Sequence, residues 1–147
     1  MKRHLIVATA VLASLAGTAF ALEFRSVKET GVALYDAPTL SAQKLFVVSR
    51  YYPVEVLAAQ KDWSRVRDAT GGIAWIPSAA LSTRRTLLVT SDKLAVRESA
   101  QDNAKLLFWA EKDLVLDMQE APQSSWVKVK HRDGSVGYAR ISGLWGL

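Results

Sequence analysis

The sequence contains no cysteine among its 147 residues. The protein therefore cannot form a disulfide, attack a substrate with a thiol, or bind a metal through thiolates. Histidine is almost as scarce, since only His4 and His131 occur. A serine–histidine nucleophile or a cluster of imidazole ligands around a metal is therefore not expected.

Catalytic patterns built from other residues are also missing. No glycine-rich loop opens a helix, so a phosphate-binding loop is not expected. Asp36 and Glu98, like Glu55 and Asp117, correspond only through an internal repeat, which would separate the two members of each carboxylate pair. His131 falls in a predicted turn, where a solvated side chain is expected. We expect a protein that is not an enzyme and that uses no cofactor and no metal.

Acidic residues are fewer than basic ones, with 14 Asp and Glu against 19 Lys and Arg, a formal net charge of +5. This mild excess favours anionic partners only weakly. The basic residues form no block along the sequence, so a nucleic-acid partner is not expected.

Long apolar runs are absent except for one near the start, between Leu5 and Leu15. Lys2 and Arg3 precede it and "AFA" follows, which predicts a secretory signal peptide over residues 1–21. The run is short for a bilayer span, although an uncleaved N-terminal anchor is the alternative. We expect export of a mature chain of 126 residues, with the periplasm favoured over the cell surface or secretion.

An internal repeat occupies most of the remaining chain. "LYDAPTLSAQKLF" aligns with "VRESAQDNAKLLF" at a spacing of 62 residues, so that Phe46 matches Phe108. One extra residue in the later copy, within "APQSS", changes the spacing to 63, and Trp63 then matches Trp126. A register kept over this length indicates two homologous units.

Each copy reads as an all-β unit, because short apolar or alternating runs are separated by turn residues. About five short strands in roughly 60 residues predict two small β-barrels in tandem. We place the domains at residues 22–83 and 84–147, and we expect them to share an interface because each core is small. The predicted strands are Phe24–Val27, Val32–Tyr35, Val54–Ala59, Trp63–Arg67, Ile73–Ile76, Leu87–Thr90, Leu94–Arg97, Leu114–Gln119, Trp126–Lys130 and Val136–Ala139. Single helical turns are predicted at Ser78–Leu81 and Ile141–Leu144.

These elements resemble the bacterial Src-homology-3 (SH3) family in both order and motif. "VALY" and "LAVR" occupy its first motif, "DWSRV" and "SWVKV" the second, "AWI" and "GYA" the third. The departures are Asp62, Ser125 and Ala74, which stand where the family has glycine. The resemblance covers nearly all of residues 22–147 and implies tandem SH3-like barrels with a role in cell-wall recognition.

The stretch "VALYDAP" also resembles the start of eukaryotic SH3 domains, in which aromatic side chains grip proline-rich peptides. The second tyrosine of that pattern is replaced by Ala37, and the later copy has Arg97 where the first has Tyr35. A complete groove for proline-rich peptides is therefore not predicted, and the stretch is interpreted as a mark of the fold.

Strand alternation predicts an aromatic and basic face on each copy. Side chains two residues apart share one face of a strand, so Trp63 lies with Arg65 and Trp126 with Lys128. Tryptophan supplies apolar area and a basic group pairs with a carboxylate, a combination suited to a peptide with acidic groups. The alternative is that both tryptophans plug the barrel ends or pack between the domains.

Further candidates for ligand binding stand at matching places in the two copies. Trp75 and Tyr138 are either groove walls or core, and Tyr35 adds an aromatic ring where the second copy has Arg97. The candidate ligand-binding residues are Tyr35, Trp63, Arg65, Trp75, Arg97, Trp126, Lys128 and Tyr138.

The expected function is that of an exported binding module for cell-wall (peptidoglycan) peptide. The alternative is a structural adaptor that docks a periplasmic or envelope protein, such as a cell-wall hydrolase. After signal cleavage the chain is not expected to span a membrane.

Overall fold

The computed structural model describes residues 22–147. The predicted signal peptide, residues 1–21, lies outside this part of the chain. Between residues 22 and 147 the helical segments are two single 3-10 turns, and none has the length or apolar character to cross a bilayer.

The described chain forms two antiparallel sheets of seven strands, one from each repeat. The first sheet has the order β3-β2-β6-β5-β4-β1-β7, and the second has the equivalent order β10-β9-β13-β12-β11-β8-β14. The strands of the first sheet are β1 (Phe24–Val27), β2 (Val32–Tyr35), β3 (Lys44–Val48), β4 (Pro53–Gln60), β5 (Trp63–Arg67), β6 (Ile73–Pro77) and β7 (Leu81–Ser82). The strands of the second are β8 (Thr86–Val89), β9 (Lys93–Arg97), β10 (Leu106–Glu111), β11 (Val115–Met118), β12 (Trp126–Lys130), β13 (Val136–Arg140) and β14 (Leu144–Trp145). The 3-10 turns are Ser78–Ala80 and Ile141–Gly143.

The two strands beyond the expected five in each sheet are the edge strand, β3 or β10, and the two-residue closing strand, β7 or β14. Four of the five residues of β3 are exposed, and β10 has only one buried residue. Neither segment alternates between apolar and polar residues, so the period-2 signal of a half-buried strand is missing. The closing strands are too short to carry any periodicity.

Each sheet encloses an apolar core of its own, supplied by the inward side chains of its strands. The core of the first sheet consists of Val27, Leu34, Val48, Val54, Val66, Ala74 and Ile76. The core of the second consists of Leu87, Val89, Leu94, Val96, Ala110, Leu116, Val127, Val129, Ala139 and Leu144. Both lists are dominated by β-branched and leucine side chains, which pack well on a pleated surface.

Unusual backbone conformations repeat between the two sheets at the spacings found in the sequence. Tyr51 and Asp113, 62 residues apart, have positive φ angles of 70° and 69°. Lys61 and Ser124, 63 residues apart, have φ angles of 52° and 53°. The extra residue of the second copy therefore lies between these two positions, and the backbone follows the same course in both repeats.

The hairpin that joins β5 to β6 is stabilised by a buried carboxylate. Asp68 is 3% exposed, and its Oδ1 accepts hydrogen bonds from the amides of Thr70, at 2.8 Å, and Gly72, at 3.1 Å. Gly71 supplies the positive φ, 89°, that this turn requires. The turn aligns β5 and β6, which carry three of the candidate ligand-binding residues.

The two repeats are in direct contact. The Thr86 hydroxyl donates a hydrogen bond to the carbonyl oxygen of Tyr51 at 2.6 Å, and Thr86 is buried. The ring of Phe24 meets that of Trp145 edge to face, with the centroids 5.2 Å apart. Arg85 places its guanidinium 5.5 Å from the Phe24 ring centroid. A polar contact and an aromatic cluster therefore join one repeat to the other.

Candidate functional site

The candidate residues of the first repeat form a row across three neighbouring strands. Tyr35 on β2 lies opposite Trp75 on β6, and Trp75 lies opposite Arg65 on β5. Ser64 and Val66, the alternate residues of β5, are buried. The row therefore lies on the outer side of the barrel, away from the core. We call Tyr35, Trp63, Arg65 and Trp75 the first aromatic face.

Trp63 extends the first aromatic face at the end of β5. Its ring meets the ring of Tyr35 edge to face, with a centroid distance of 5.3 Å and an interplanar angle of 89°. Pro77 is its cross-strand neighbour on β6. Trp63 and Trp75 are partly exposed, whereas only 7% of the Tyr35 surface is exposed. Tyr35 therefore supports the face and the two tryptophans present area to a ligand.

The second repeat forms the same row with different side chains. Arg97 on β9 lies opposite Tyr138 on β13, and Tyr138 lies opposite Lys128 on β12. Each residue occupies the position of its counterpart in the first row. We call Arg97, Trp126, Lys128 and Tyr138 the second aromatic face. The structure brings each set of four together, but it does not join the two sets into one site.

Trp126 differs from its counterpart, because an arginine covers it. Arg140, its cross-strand neighbour, places its guanidinium 4.4 Å from the Trp126 ring centroid. Asp102 holds that guanidinium with hydrogen bonds of 3.2 and 2.5 Å. Trp126 keeps only 8% of its surface exposed, although it lies on the outer side as strand alternation predicts. Its indole contributes to packing rather than to an open surface.

Sequence reasoning did not select Arg140 as part of the second face. Tyr138 and Arg140 are two residues apart, so alternation places both on one side of β13. The missing information was the pairing of β13 with β12, which sets Arg140 directly opposite Trp126. Pro77 takes this position in the first repeat, so the first face has no cation above its tryptophan.

The basic groups of the two faces differ in how they are paired. Arg65 is exposed and has no carboxylate oxygen within 4.0 Å among residues 22–147. The Lys128 ammonium lies 3.4 Å from Glu120 and 6.0 Å from the Tyr138 ring centroid. Arg97 donates a hydrogen bond to the carbonyl oxygen of Ala104 at 3.0 Å. Arg65 of the first aromatic face therefore has fewer polar contacts than Lys128 or Arg97, and it lies beside two partly exposed tryptophans.

Such a face has the chemistry of a ligand-binding surface. Partly exposed indole rings contribute apolar contact area, and a free guanidinium pairs with a carboxylate. Within the described part of the chain, no group of three or more His, Asp or Glu residues could hold a metal ion.

Family models identify both repeats. One bacterial SH3 domain model matches residues 30–82, and a second bacterial SH3 domain model matches residues 90–146. The chain belongs to the bacterial SH3 domain family. The two matched ranges contain all eight candidate residues. Bacterial SH3 domains are generally non-catalytic binding modules and are typical of extracellular or cell-envelope proteins.

Solved structures similar to this tandem SH3 protein include NlpC2 and NlpC1 from Trichomonas vaginalis and an NlpC/P60 family protein from Bacillus cereus, each with 13% identity. The matches cover 85%, 93% and 84% of this chain, with TM-scores of 0.39, 0.39 and 0.36. They cover 48%, 50% and 56% of the solved chains, so this chain spans about half their length. At these TM-scores the likeness supports no inference about function. No curated protein matches the sequence.

Proposed function

We propose that this chain is an exported, non-catalytic module that recognises cell-wall (peptidoglycan) peptide through its aromatic and basic faces, with the first aromatic face as the main contact. The observation that carries the proposal is the row of cross-strand neighbours that recurs in both repeats. Tyr35, Trp75 and Arg65 form it in the first sheet. Packing alone would not require a basic residue at this position of both rows, which is Arg65 in the first and Lys128 in the second.

The chemistry of the first aromatic face suits a peptide with an apolar body and acidic ends. The partly exposed rings of Trp63 and Trp75 offer apolar surface, and the neighbouring Arg65 has no acidic partner among residues 22–147. A carboxylate of the ligand would replace water around the guanidinium, in a charge-assisted contact. Peptidoglycan stem peptides combine these two features, and the periplasm is the compartment in which such a module would meet them.

Co-sedimentation with purified sacculi tests the proposal. The chain without residues 1–21 is mixed with sacculi at low and moderate salt, and the bound fraction is measured. Binding is expected at low salt and should weaken at moderate salt, because screening acts on exposed charge pairs. Arg65→Gln is expected to lower the affinity about threefold to tenfold, as loss of a charge-assisted contact does.

A matched control removes a charge outside both faces. Lys93 lies at the start of β9 and is exposed, so Lys93→Gln should bind sacculi as well as the unmodified chain. Absence of sedimentation at low salt would refute wall binding. Equal losses in Arg65→Gln and Lys93→Gln would show a general charge effect and remove the first aromatic face from the proposal.

A structural adaptor remains a second candidate, because apolar side chains are exposed on both edge strands. Val47 on β3 is 60% exposed and Trp109 on β10 is 52% exposed. Exposed apolar edges of this kind are used to bind other proteins. If crude envelopes sediment the chain but protein-free sacculi do not, and Val47→Lys abolishes the effect, the adaptor function is favoured over peptide recognition.

A further inference from the structure

A small pocket lies where the connection between the two repeats passes over the second sheet. It has a volume of about 290 Å³ and is lined by Tyr51, Arg84, Val115, Asp117, Lys130, His131 and Arg132. Tyr51 comes from the first repeat, Arg84 from the connection, and the others from the second repeat. We call it the linker pocket. None of the eight residues of the aromatic faces lines it.

The wall of the linker pocket is held in place by contacts from both repeats. Arg84 binds Asp117 through two hydrogen bonds, Nε to Oδ1 at 2.8 Å and Nη2 to Oδ2 at 2.6 Å. Its guanidinium stacks 4.1 Å from the Tyr51 ring centroid, and its carbonyl oxygen accepts a hydrogen bond from Ser26 at 2.7 Å. The carbonyl oxygen of Tyr51 accepts the hydrogen bond from Thr86. The Arg84 guanidinium is therefore preorganised.

The positive φ of Tyr51 is part of this arrangement. A bulky residue at a φ of 70° is uncommon, and it persists where the surroundings impose it. The same backbone position in the second repeat is Asp113, which has no aromatic ring. Two cations thus lie near the Tyr51 ring, since the Arg50 guanidinium lies 4.8 Å from the ring centroid on which Arg84 also stacks.

The charges around the linker pocket do not balance. Asp117 already pairs with Arg84, and Asp133 lies 3.0 Å from His131. Hydrogen bonds from Ser135 and His131 lower the pKa of Asp133 to about 2, so Asp133 stays ionised at neutral pH. Lys130, Arg132 and Arg50 have no carboxylate oxygen within 4.0 Å in the chain from residue 22 onward. Asp117 offsets Arg84, and the ionised Asp133 offsets one of these three cations, so two positive charges remain in excess at or near the pocket.

We propose that the linker pocket binds a phosphate group, held by Lys130 and Arg132 beside the Arg84–Asp117 pair. Several donors with an excess of positive charge favour a multivalent anion over a single carboxylate. Lys130 on β12 is the cross-strand partner of Asp117 on β11. Lys130 and the Arg84–Asp117 pair therefore lie on the same part of the sheet. The site goes beyond recognition of wall peptide and does not depend on it.

A phosphate at this place would contact Lys130 and Arg132 of the second repeat, in a pocket that Tyr51 of the first repeat also lines. Ligands that bind only the folded state raise its stability by mass action. Phosphate at about ten times its Kd is expected to raise the Tm of the chain by roughly 3–6 °C. Sodium chloride at equal ionic strength serves as the reference, because it screens charge without occupying the pocket.

The experiment compares thermal melts of three proteins in phosphate and in chloride. The unmodified chain should show the rise in Tm, and the double variant Lys130→Gln/Arg132→Gln should lose it. The matched control Lys93→Gln/Lys105→Gln removes two exposed charges of the same repeat outside the pocket, and it should keep the rise. The double variant must melt cooperatively in chloride, and single substitutions replace it if it does not fold.

Vesicles distinguish a free phosphate group from a lipid headgroup. Vesicles of phosphatidylcholine with and without phosphatidylglycerol are sedimented with each protein. Sedimentation that requires both phosphatidylglycerol and the pocket lysine and arginine identifies a lipid headgroup as the source. A rise in Tm with inorganic phosphate and no such sedimentation identifies a soluble phosphate. An equal Tm in phosphate and chloride, or an equal rise in the pocket variant, would overturn the proposed site.

Discussion

At the scale of single residues, equivalent positions of the two repeats have different surroundings. Trp63 and Trp126 align in the sequence and lie at the start of equivalent strands. Trp63 contacts Tyr35 and keeps part of its surface in solvent, whereas the Arg140 guanidinium covers Trp126. One substitution should therefore act mainly on ligand binding and the other mainly on folding.

We expect Trp126→Ala to lower the free energy of unfolding by about 3 kcal/mol or more, because truncating a buried tryptophan leaves a cavity. Trp63→Ala should cost less stability and weaken sacculus binding by more than about 1 kcal/mol, as loss of an aromatic anchor does. Urea denaturation beside a binding curve for each variant measures both effects.

Trp109 provides the control for these two substitutions, because it is 52% exposed and belongs to neither aromatic face. Trp109→Ala should change the free energy of unfolding by less than about 0.5 kcal/mol, as is usual at the surface. A loss of stability in Trp63→Ala as large as that in Trp126→Ala would assign Trp63 to packing.

At the scale of strands, close approach between β13 and β9 sets the shape of the second barrel. Gly137 on β13 is buried, and a Cβ atom there would lie 2.7 Å from the carbonyl oxygen of Arg97 and 2.7 Å from a methyl group of Val96. The first repeat has Ala74 at this position and accommodates its side chain, which is 3% exposed. The first repeat therefore has room for a Cβ atom at this position, whereas the second does not.

Gly137→Ala is expected to destabilise the protein by about 1–3 kcal/mol, because one of the clashing atoms belongs to the backbone and cannot rotate away. The neighbouring exposed position supplies a control, and Val136→Ala should cost less than about 1 kcal/mol. Chemical denaturation of both variants measures the two losses of stability. Equal stability of Gly137→Ala and the unmodified chain would show that β9 and β13 separate easily.

At the scale of the whole molecule, contacts between the repeats lead us to expect one folding unit made from two small barrels. The buried Thr86 hydroxyl reaches the Tyr51 carbonyl oxygen, and Ser26 reaches the Arg84 carbonyl oxygen. Phe24 packs on Trp145 near the end of the second repeat. Each barrel has a modest core, so we expect the shared contacts to supply a substantial part of the stability.

We expect the full chain to melt in a single transition and the fragments 22–83 and 84–147 to melt at lower temperature. Thr86→Val should cost about 1 kcal/mol, because it removes the buried hydroxyl that donates a hydrogen bond to the Tyr51 carbonyl oxygen. Thr90→Val is the control, since Thr90 is exposed. Fragments as stable as the full chain would show that the interface contributes nothing and that the barrels are independent.

Local patterns in the sequence were enough to predict the all-β class and most strand positions, and the resemblance of its motifs to a known family indicated the tandem SH3 domains. Trp63–Arg67 and Trp126–Lys130 agree residue for residue with β5 and β12, because inward and outward side chains alternate with period 2. The edge strands β3 and β10 were missed, since strands exposed at the border of a sheet carry no such alternation.

The contacts among outward-facing residues were decided only by the tertiary structure. Cross-strand pairing sets Arg140 over Trp126, and packing between the repeats brings Tyr51 beside Arg84. These neighbours are far apart along the chain or depend on strand register, and periodicity within one strand contains no information about either. The sequence by itself therefore determined which residues face outward, and the fold determined which of them meet, which remain open to a ligand, and where a pocket forms.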